Sequence, residues 1–298
     1  MSDLLILGAH GQVGRALVAR AGKRCVRHRA LGHAECDISD RGAVDQAVKG
    51  MRFVVNCAAY TAVDRAETDV QAANRVNAIG AGHVAAACAQ AAIPLLHLSS
   101  DYVFDGQTRR PAREDDEPGP LSVYGRSKFA GELAVRERLK SHIILRTSWI
   151  FSAHGQNFVK TILRLANAKP ELRVVADQIG GPTAADDIAK AILDIIAIST
   201  GPDFGQWGTY HFSGAPGVSW FEFAKAIVAD SSAVVLPITT EDYPLPARRP
   251  LNSVLDCSRI SRVFGIAQPD WRVALRNVLS ELAAKSVASS SRGNTSSQ

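Results

Sequence analysis

Short apolar runs punctuate the first half of the chain, each followed by a stretch with helical spacing. The clear ones are Leu4-Leu5-Ile6-Leu7, Phe53-Val54-Val55-Asn56-Cys57, Leu95-Leu96-His97-Leu98-Ser99 and Ile143-Ile144-Leu145-Arg146-Thr147, with a fainter run at Arg24 to His28. Unbroken apolar runs with helices between them predict a parallel sheet buried on both faces. The 3.6-residue spacing predicts helices over 12–21, 39–48, 70–91 and 122–139, the second capped by Ser39 with Asp40 in its first turn. After about residue 150 the alternation loosens. Helices are expected over 157–167, 185–198 and 220–229, and strands over 173–176 and 210–213. A Pro- and Arg-rich loop covers 243–250, and the Ser-rich stretch 286–298 reads as a disordered tail.

Composition narrows the class. The chain has 298 residues, 46% hydrophobic and 21% charged, which excludes a chain disordered throughout. No apolar run approaches the roughly 18 residues of a spanning helix, so no membrane partner is expected. Met1-Ser2-Asp3 places an acid where a secretory leader has bases. The net charge is +5, with the basic residues scattered and Arg109, Arg110 and Arg113 answered by Glu114, Asp115, Asp116 and Glu117. That pattern argues against nucleic acid and suits a small anionic ligand. The cysteines (Cys25, Cys36, Cys57, Cys88 and Cys257) are odd in number and without C-x-x-C spacing. They read as reduced, buried thiols of a cytoplasmic protein, with no metal site.

Gly8, Gly11 and Gly14 follow the first strand and open the first helix, the arrangement that brings backbone N–H groups to a dinucleotide pyrophosphate. Read as the end of the second strand, Arg27-His28-Arg29 stands where an NAD site carries an acid; arginine there suits the 2′-phosphate of NADPH, the alternative being a solvated surface. Asp37-Ile38 is placed to flank an adenine, and the small residues of 57–61 leave room for ribose and phosphates.

Tyr124 and Lys128 stand four apart on the helix predicted over 122–139 and share a face. A ketone that accepts hydride needs a proton on its oxygen, and a phenol is a proton donor. A cation about 4 Å away, at an effective dielectric near 20, favours the phenolate by about 4 kcal/mol, or roughly three pKa units. Ser100, just past the fourth strand, lies at the carboxyl edge where ligands of α/β sheets bind, with a hydroxyl for the carbonyl. Arg248 and Arg249, in the Pro-bounded loop, are candidates for a diphosphate, the alternative being solvated arginines.

These residues, with NCAAYTAVDRAE at 56–67, SSDYVFDG at 99–106, YGRSK at 124–128, RTSW at 146–149, DQIGGPT at 177–183 and RPLNS at 249–253, resemble the dTDP-4-dehydrorhamnose reductase family of extended short-chain dehydrogenase/reductases. The resemblance implies a Rossmann-type doubly wound parallel sheet over 1–150 that binds NADP(H), and a smaller C-terminal α/β substrate lobe over 151–285, some of whose segments return to the sheet. It implies NADPH-dependent reduction of a 4-keto nucleotide sugar, with NADH as a second donor. Tyr124 would give the proton, Lys128 would hold Tyr124 and the nicotinamide ribose, and Ser100 would hold the carbonyl. Asp101 and Trp149 would contact the sugar. Gln12, Val13, Asp37, Ile38, Ala59, Tyr60, Thr61 and Leu98 match cofactor-contacting positions. The family usually has threonine where this chain has Ser100. Some members dimerise through a metal held by glutamates, one just after the glycine loop, where this chain has Arg15-Ala16. No metal is therefore expected, and the chain is read as a monomer or weak homodimer. A related deoxysugar 4-ketoreductase and a non-catalytic NADP-binding regulatory subunit are the alternatives. A dehydratase would need a glutamate where Tyr102 follows Asp101.

Overall fold

The computed structural model describes residues 3–293, and side chains to residue 285. The first half runs β1 Leu4–Leu7, α1 Gln12–Lys23, β2 His28–Leu31, α2 Arg41–Val48, β3 Phe53–Asn56, α3 Val63–Ala66, α4 Val70–Asn74, a π-helical segment Arg75–Gly80, α5 Ala81–Gln90, β4 Leu95–Ser100, a 3-10 turn Asp101–Val103, α6 Val123–Arg138 and β5 His142–Thr147. The second half runs β6 Ile150–Phe151, α7 Phe158–Ala168, β7 Glu171–Val175, β8 Ile179–Gly180, β9 Thr183–Ala184, α8 Ala185–Ser199, β10 Gly208–His211, β11 Val218–Ser219, α9 Trp220–Ile227, β12 Val234–Ile238, α10 Ser258–Phe264 and α11 Trp271–Gly293.

The main sheet has the order β10-β5-β4-β3-β1-β2, and its pairings are parallel. The apolar runs supply it for a simple reason. Successive side chains face opposite ways, so Leu4, Ile6, Val55, Leu96, Ile143 and Leu145 pack on α1 and α8, while Leu5, Leu7, Val54, Leu95 and Ile144 pack on α2, α5 and α6. β10, α8 and α10, from the second half of the chain, join this body. A third core, of Phe151, Val159, Ile162, Leu172, Val174, Phe223, Ile227, Trp271 and Leu275, holds the smaller lobe together. Among the described residues no helix is long and apolar enough to cross a membrane.

The chain departs from the expected elements at places that matter. β2 begins at His28 and ends at Leu31, several residues beyond the expected run. The α2 cap is Asp40, whose carboxylate accepts the Ala43 N–H at 3.1 Å, so the helix starts after Ser39-Asp40. The helix expected over 70–91 is split by the π-helical segment. Cys25 is exposed, in a turn with φ +56°. α11 continues to Gly293, which corrects the disordered tail expected from residue 286: no Pro or Gly interrupts the chain between Trp271 and Arg292. Residues 294–298 of that tail lie outside the described residues.

Candidate active site

The sheet reverses its order between β1 and β3, and ligands of doubly wound sheets bind at such a switch point, beyond the carboxyl ends of the strands. A cavity of about 560 Å³ opens there. Its walls include Gly11, Gln12, Val13, Gly14, Ala59, Thr61, Leu98, Ser100, Asp101, Tyr124, Lys128 and Trp149, so most of the residues singled out in the sequence meet in one place.

The glycine loop is shaped by close approach. Gly8 has φ +74°, and a Cβ on it would lie 2.5 Å from the Ala58 nitrogen; a Cβ on Gly14 would run into the Gly8 carbonyl and the Ala9 backbone. The loop thus lies against the end of β3, with the first N–H groups of α1 facing the cavity and no side chain capping them. The Gln12 side chain accepts from Ser152 Oγ and Asn157 Nδ2, each at 2.9 Å, which ties the start of α1 to the smaller lobe.

Ser122 caps α6, its hydroxyl accepting from Gly125 N at 3.1 Å, and so fixes where the helix presents Tyr124 and Lys128. Lys128 is 2% exposed and donates to the Leu98 carbonyl at 2.7 Å. Burial pushes its ammonium down to about 8, against the pull of the Glu132 carboxylate. Burial pushes the Tyr124 phenol up to about 12; the Ser100 hydroxyl beside it lowers it and the Asp101 carboxylate raises it. This reverses the shift expected from a lysine neighbour. Burial sets the direction, and the Lys128 ammonium is bonded instead to the Leu98 carbonyl. The phenol is therefore protonated at neutral pH, the form a proton donor needs.

Ser100 donates to Asp101 Oδ1 at 2.8 Å and accepts from Tyr102 N at 3.2 Å. Asp101 is 2% exposed and its Oδ2 has no partner. Burial raises its carboxyl to about 6, with Ser100 and Ser253 opposing. Register places Thr147 of β5 opposite Ser100, and the Thr147 hydroxyl is also buried and unpartnered. Two orphan polar atoms in a cavity wall await a polar ligand. The Trp149 indole stacks on Trp220 with centroids 3.4 Å apart and donates to Ser253 Oγ at 3.1 Å.

Other candidates stand apart from the cavity. Because β2 runs to Leu31, Arg27 and His28 lie at its amino end, opposite the ligand edge, which corrects the reading of 27–29 as a 2′-phosphate clasp. Arg27 pairs with Asp3 at 2.9 Å, the His28 ring bonds the Val26 carbonyl at 2.9 Å, and Arg29 sits mid-strand beside Leu5. The carboxyl end of β2 instead presents Gly32, whose N–H is accepted by Glu35 at 2.8 Å. Alanine at Arg27 or Arg29 is expected to leave the NADPH-to-NADH ratio of kcat/KM unchanged within about twofold, under about 0.5 kcal/mol. A larger fall in that ratio, in steady-state kinetics with each donor, would restore the clasp.

Asp37 accepts from the Ser39 N–H and hydroxyl, and Ile38 is buried in the core between α2 and α5. Tyr60 has its N–H on Asn77 Oδ1 at 2.8 Å and its ring packed with Val123 and Tyr124. Arg249 is corrected too. Its guanidinium grips Asp64 at 2.7 and 3.0 Å and the Ala247 carbonyl at 2.8 Å, so it is a strut from the 243–250 loop to α3 rather than a free phosphate ligand. Arg248 likewise does not line the cavity. The sequence reading missed His10, Thr147, Ser148, Gly155 and Gln156 as wall residues. Thr147 and Ser148 lay inside the RTSW string; nothing local marks the others. Among the described residues no cluster of three or more His, Cys, Asp or Glu is placed to hold a metal.

A tyrosine and lysine one turn apart, facing a strand-end serine at the switch point of a doubly wound sheet, define a short-chain dehydrogenase/reductase. Residues 1–284 match the family described as RmlD substrate binding domain. A dTDP-4-dehydrorhamnose reductase of Sinorhizobium fredii is 42% identical over 93% of this chain and 96% of its own. One from Aggregatibacter actinomycetemcomitans is 43% identical over 93% and 98%. The structure of dTDP-4-dehydrorhamnose reductase from Bacillus anthracis in complex with NADP is 37% identical, with a TM-score of 0.88 over 94% of this chain and 99% of that one. The chain belongs to the dTDP-4-dehydrorhamnose reductase family.

Proposed function

We propose that this chain reduces the 4-keto group of dTDP-4-dehydro-L-rhamnose to dTDP-L-rhamnose with NADPH. The observation that carries the reading is the convergence of Tyr124, Lys128 and Ser100 with Asp101 and Trp149 on one cavity beside the glycine loop. The residues present fit a dinucleotide. The glycines let the loop pack tightly on its own backbone and on the chain after β3, where a Cβ on Gly8 or Gly14 would clash, and this brings the α1 N–H groups to the cavity edge, where they would meet the pyrophosphate. Gln12, Val13, Ala59, Thr61 and Leu98 would line its path, and Lys128 would hold the nicotinamide ribose.

When bound, the dinucleotide supplies the hydride that adds to C4 of the sugar. Tyr124, protonated at neutral pH, donates its proton to the carbonyl oxygen as that oxygen becomes an alkoxide. Lys128, a buried cation one turn away, stabilises the phenolate left behind. Ser100 orients the carbonyl, and the unpartnered Asp101 Oδ2 and Thr147 hydroxyl offer bonds to the sugar hydroxyls. Trp149, held flat by Trp220, walls the sugar side. The smaller lobe, from which Trp220 and Ser253 come, is read as the substrate lobe.

The test is incubation with NADPH and the 4-keto sugar nucleotide, following absorbance at 340 nm and identifying the product by NMR. Stoichiometric NADPH oxidation with the L-rhamno configuration at C4 is expected. No oxidation, with NADPH still bound, would favour a regulatory subunit; a C4 epimer would assign a different deoxysugar.

A further inference from the structure

Beneath the cavity lies a buried charge cluster centred on Glu132. This residue is 0% exposed and stands one turn beyond Lys128 on the same helix. Its carboxylate accepts Arg146 of β5 in a two-point pair, at 2.8 and 2.7 Å, and Arg136 Nη2 at 2.9 Å. It also accepts the Ser99 hydroxyl at 2.6 Å. Ser99 lies between Leu98, whose carbonyl takes the Lys128 ammonium, and Ser100. Arg146 leads directly into the cavity residues Thr147, Ser148 and Trp149. One carboxylate thus joins α6, β4 and β5, which together deliver the site. A buried ion pair is poor grounds for stability, since apolar residues of the same volume often serve as well. Its place one turn from a buried lysine points to electrostatics.

We propose that Glu132 is a positioning residue for the reaction, the fixed buried counter-charge that keeps the Lys128 ammonium charged. The proposal rests on the reading of Lys128 given above. The ionisable groups around Lys128 leave few alternatives. Tyr124 on α6 and Cys57 after β3 are both pushed up to about 12 and stay neutral. His97 on β4 is held neutral by burial and by the Lys128 charge. Arg146 on β5 and Arg136 on α6 add positive charge. Asp101, past β4, is bonded to Ser100 and acts on Tyr124 rather than on Lys128. Glu132 is therefore a single negative charge set among two arginines and the lysine, and it acts on the lysine from one turn away.

The experiment compares Glu132→Gln, which keeps shape, with Glu132→Asp, which keeps charge. The Lys128 titration is read from its ¹³Cε NMR shift, assigned through Lys128→Met, so it does not depend on which sugar is turned over. Glu132→Gln is expected to lower the Lys128 midpoint by about one unit or more, and Glu132→Asp by under about half a unit. The basic limb of the kcat/KM profile moves to lower pH with it, because a lower midpoint deprotonates the lysine sooner. Should Glu132→Gln not fold, Arg136→Gln decides: removal of that half-exposed cation is expected to raise the midpoint. A midpoint that stays in place in Glu132→Gln, or in Arg136→Gln where Glu132→Gln does not fold, overturns the proposal, as does an equal shift in Gln and Asp. Failure of the sugar assay alone bears on the function and leaves the NMR result to stand.

Discussion

Tyr124→Phe is expected to lower kcat by a factor on the order of 10² to 10⁴, the usual contribution of a positioned proton donor. The substitution removes one oxygen and little else. The ring keeps its edge-to-face contact with Tyr102, whose centroid lies 5.5 Å away, and its place against Tyr60 and Val123. In the proposed reading the glycine loop and Lys128 hold the dinucleotide, so NADPH affinity is expected to hold within about threefold, under about 0.7 kcal/mol. The phenol, pushed up to about 12, is not the group that shapes the pH profile near neutrality. Lys128, pushed down to about 8, is. Activity of the unmodified chain should fall as pH rises through that value, and the residual activity of Tyr124→Phe should keep that fall. Single-turnover stopped-flow at 340 nm with fluorescence titration of NADPH separates the two effects. A turnover rate within threefold of the parent, or affinity lost in step with rate, would remove Tyr124 from the proton-donor role.

The parts of this site legible in the sequence are those set by local spacing. A helix places residues four apart on one face whatever surrounds it, so Tyr124 and Lys128 were readable together, and the strand-end position of Ser100 followed from the apolar run before it. The glycine loop was legible because strand, turn and helix follow one another in the chain. β2 was not. It is an edge strand of sequence His-Arg-Ala-Leu, half polar, with no apolar run to mark its ends. A misplacement of a few residues carried Arg27-His28-Arg29 from one end of the sheet to the other. Arg249 shows a second limit: its carboxylate partner, Asp64, is remote in sequence, and nothing near the loop announces it. β12 was missed because Val234–Ile238 contains Pro237 and pairs only with β7. The split of the 70–91 helix also left no trace in the hydrophobic period, since a π turn shifts only one hydrogen-bonding step.

Gly180→Ala is expected to raise KM for the nucleotide sugar by about tenfold or more, about 1.4 kcal/mol, while KM for NADPH barely moves. Gly180 ends β8 in the string DQIGGPT, and no positive φ explains a glycine there. Space does. A Cβ would run into the Trp149 indole, 2.5 Å from Nε1, and stand 2.7 Å from Ser253 Oγ. The indole cannot retreat, because the Trp220 ring is parallel to it at 3.4 Å and Phe158 and Phe223 pack behind that ring. Nor can the backbone easily yield: Trp149 already has φ +44°, a conformation rare for a bulky side chain, and its carbonyl is held by Thr183 N at 3.2 Å. The methyl must therefore break the Trp149–Ser253 hydrogen bond or displace the stack. Ser253 also lowers the Asp101 carboxyl, so the two residues proposed to contact the sugar are perturbed together. The glycine loop, on the far side of the cavity, meets none of these atoms. Steady-state kinetics with each substrate varied in turn, alongside thermal unfolding, decide the matter. A variant that unfolds several degrees lower but keeps both Michaelis constants would show that Gly180 serves packing alone and that Trp149 does not read the sugar.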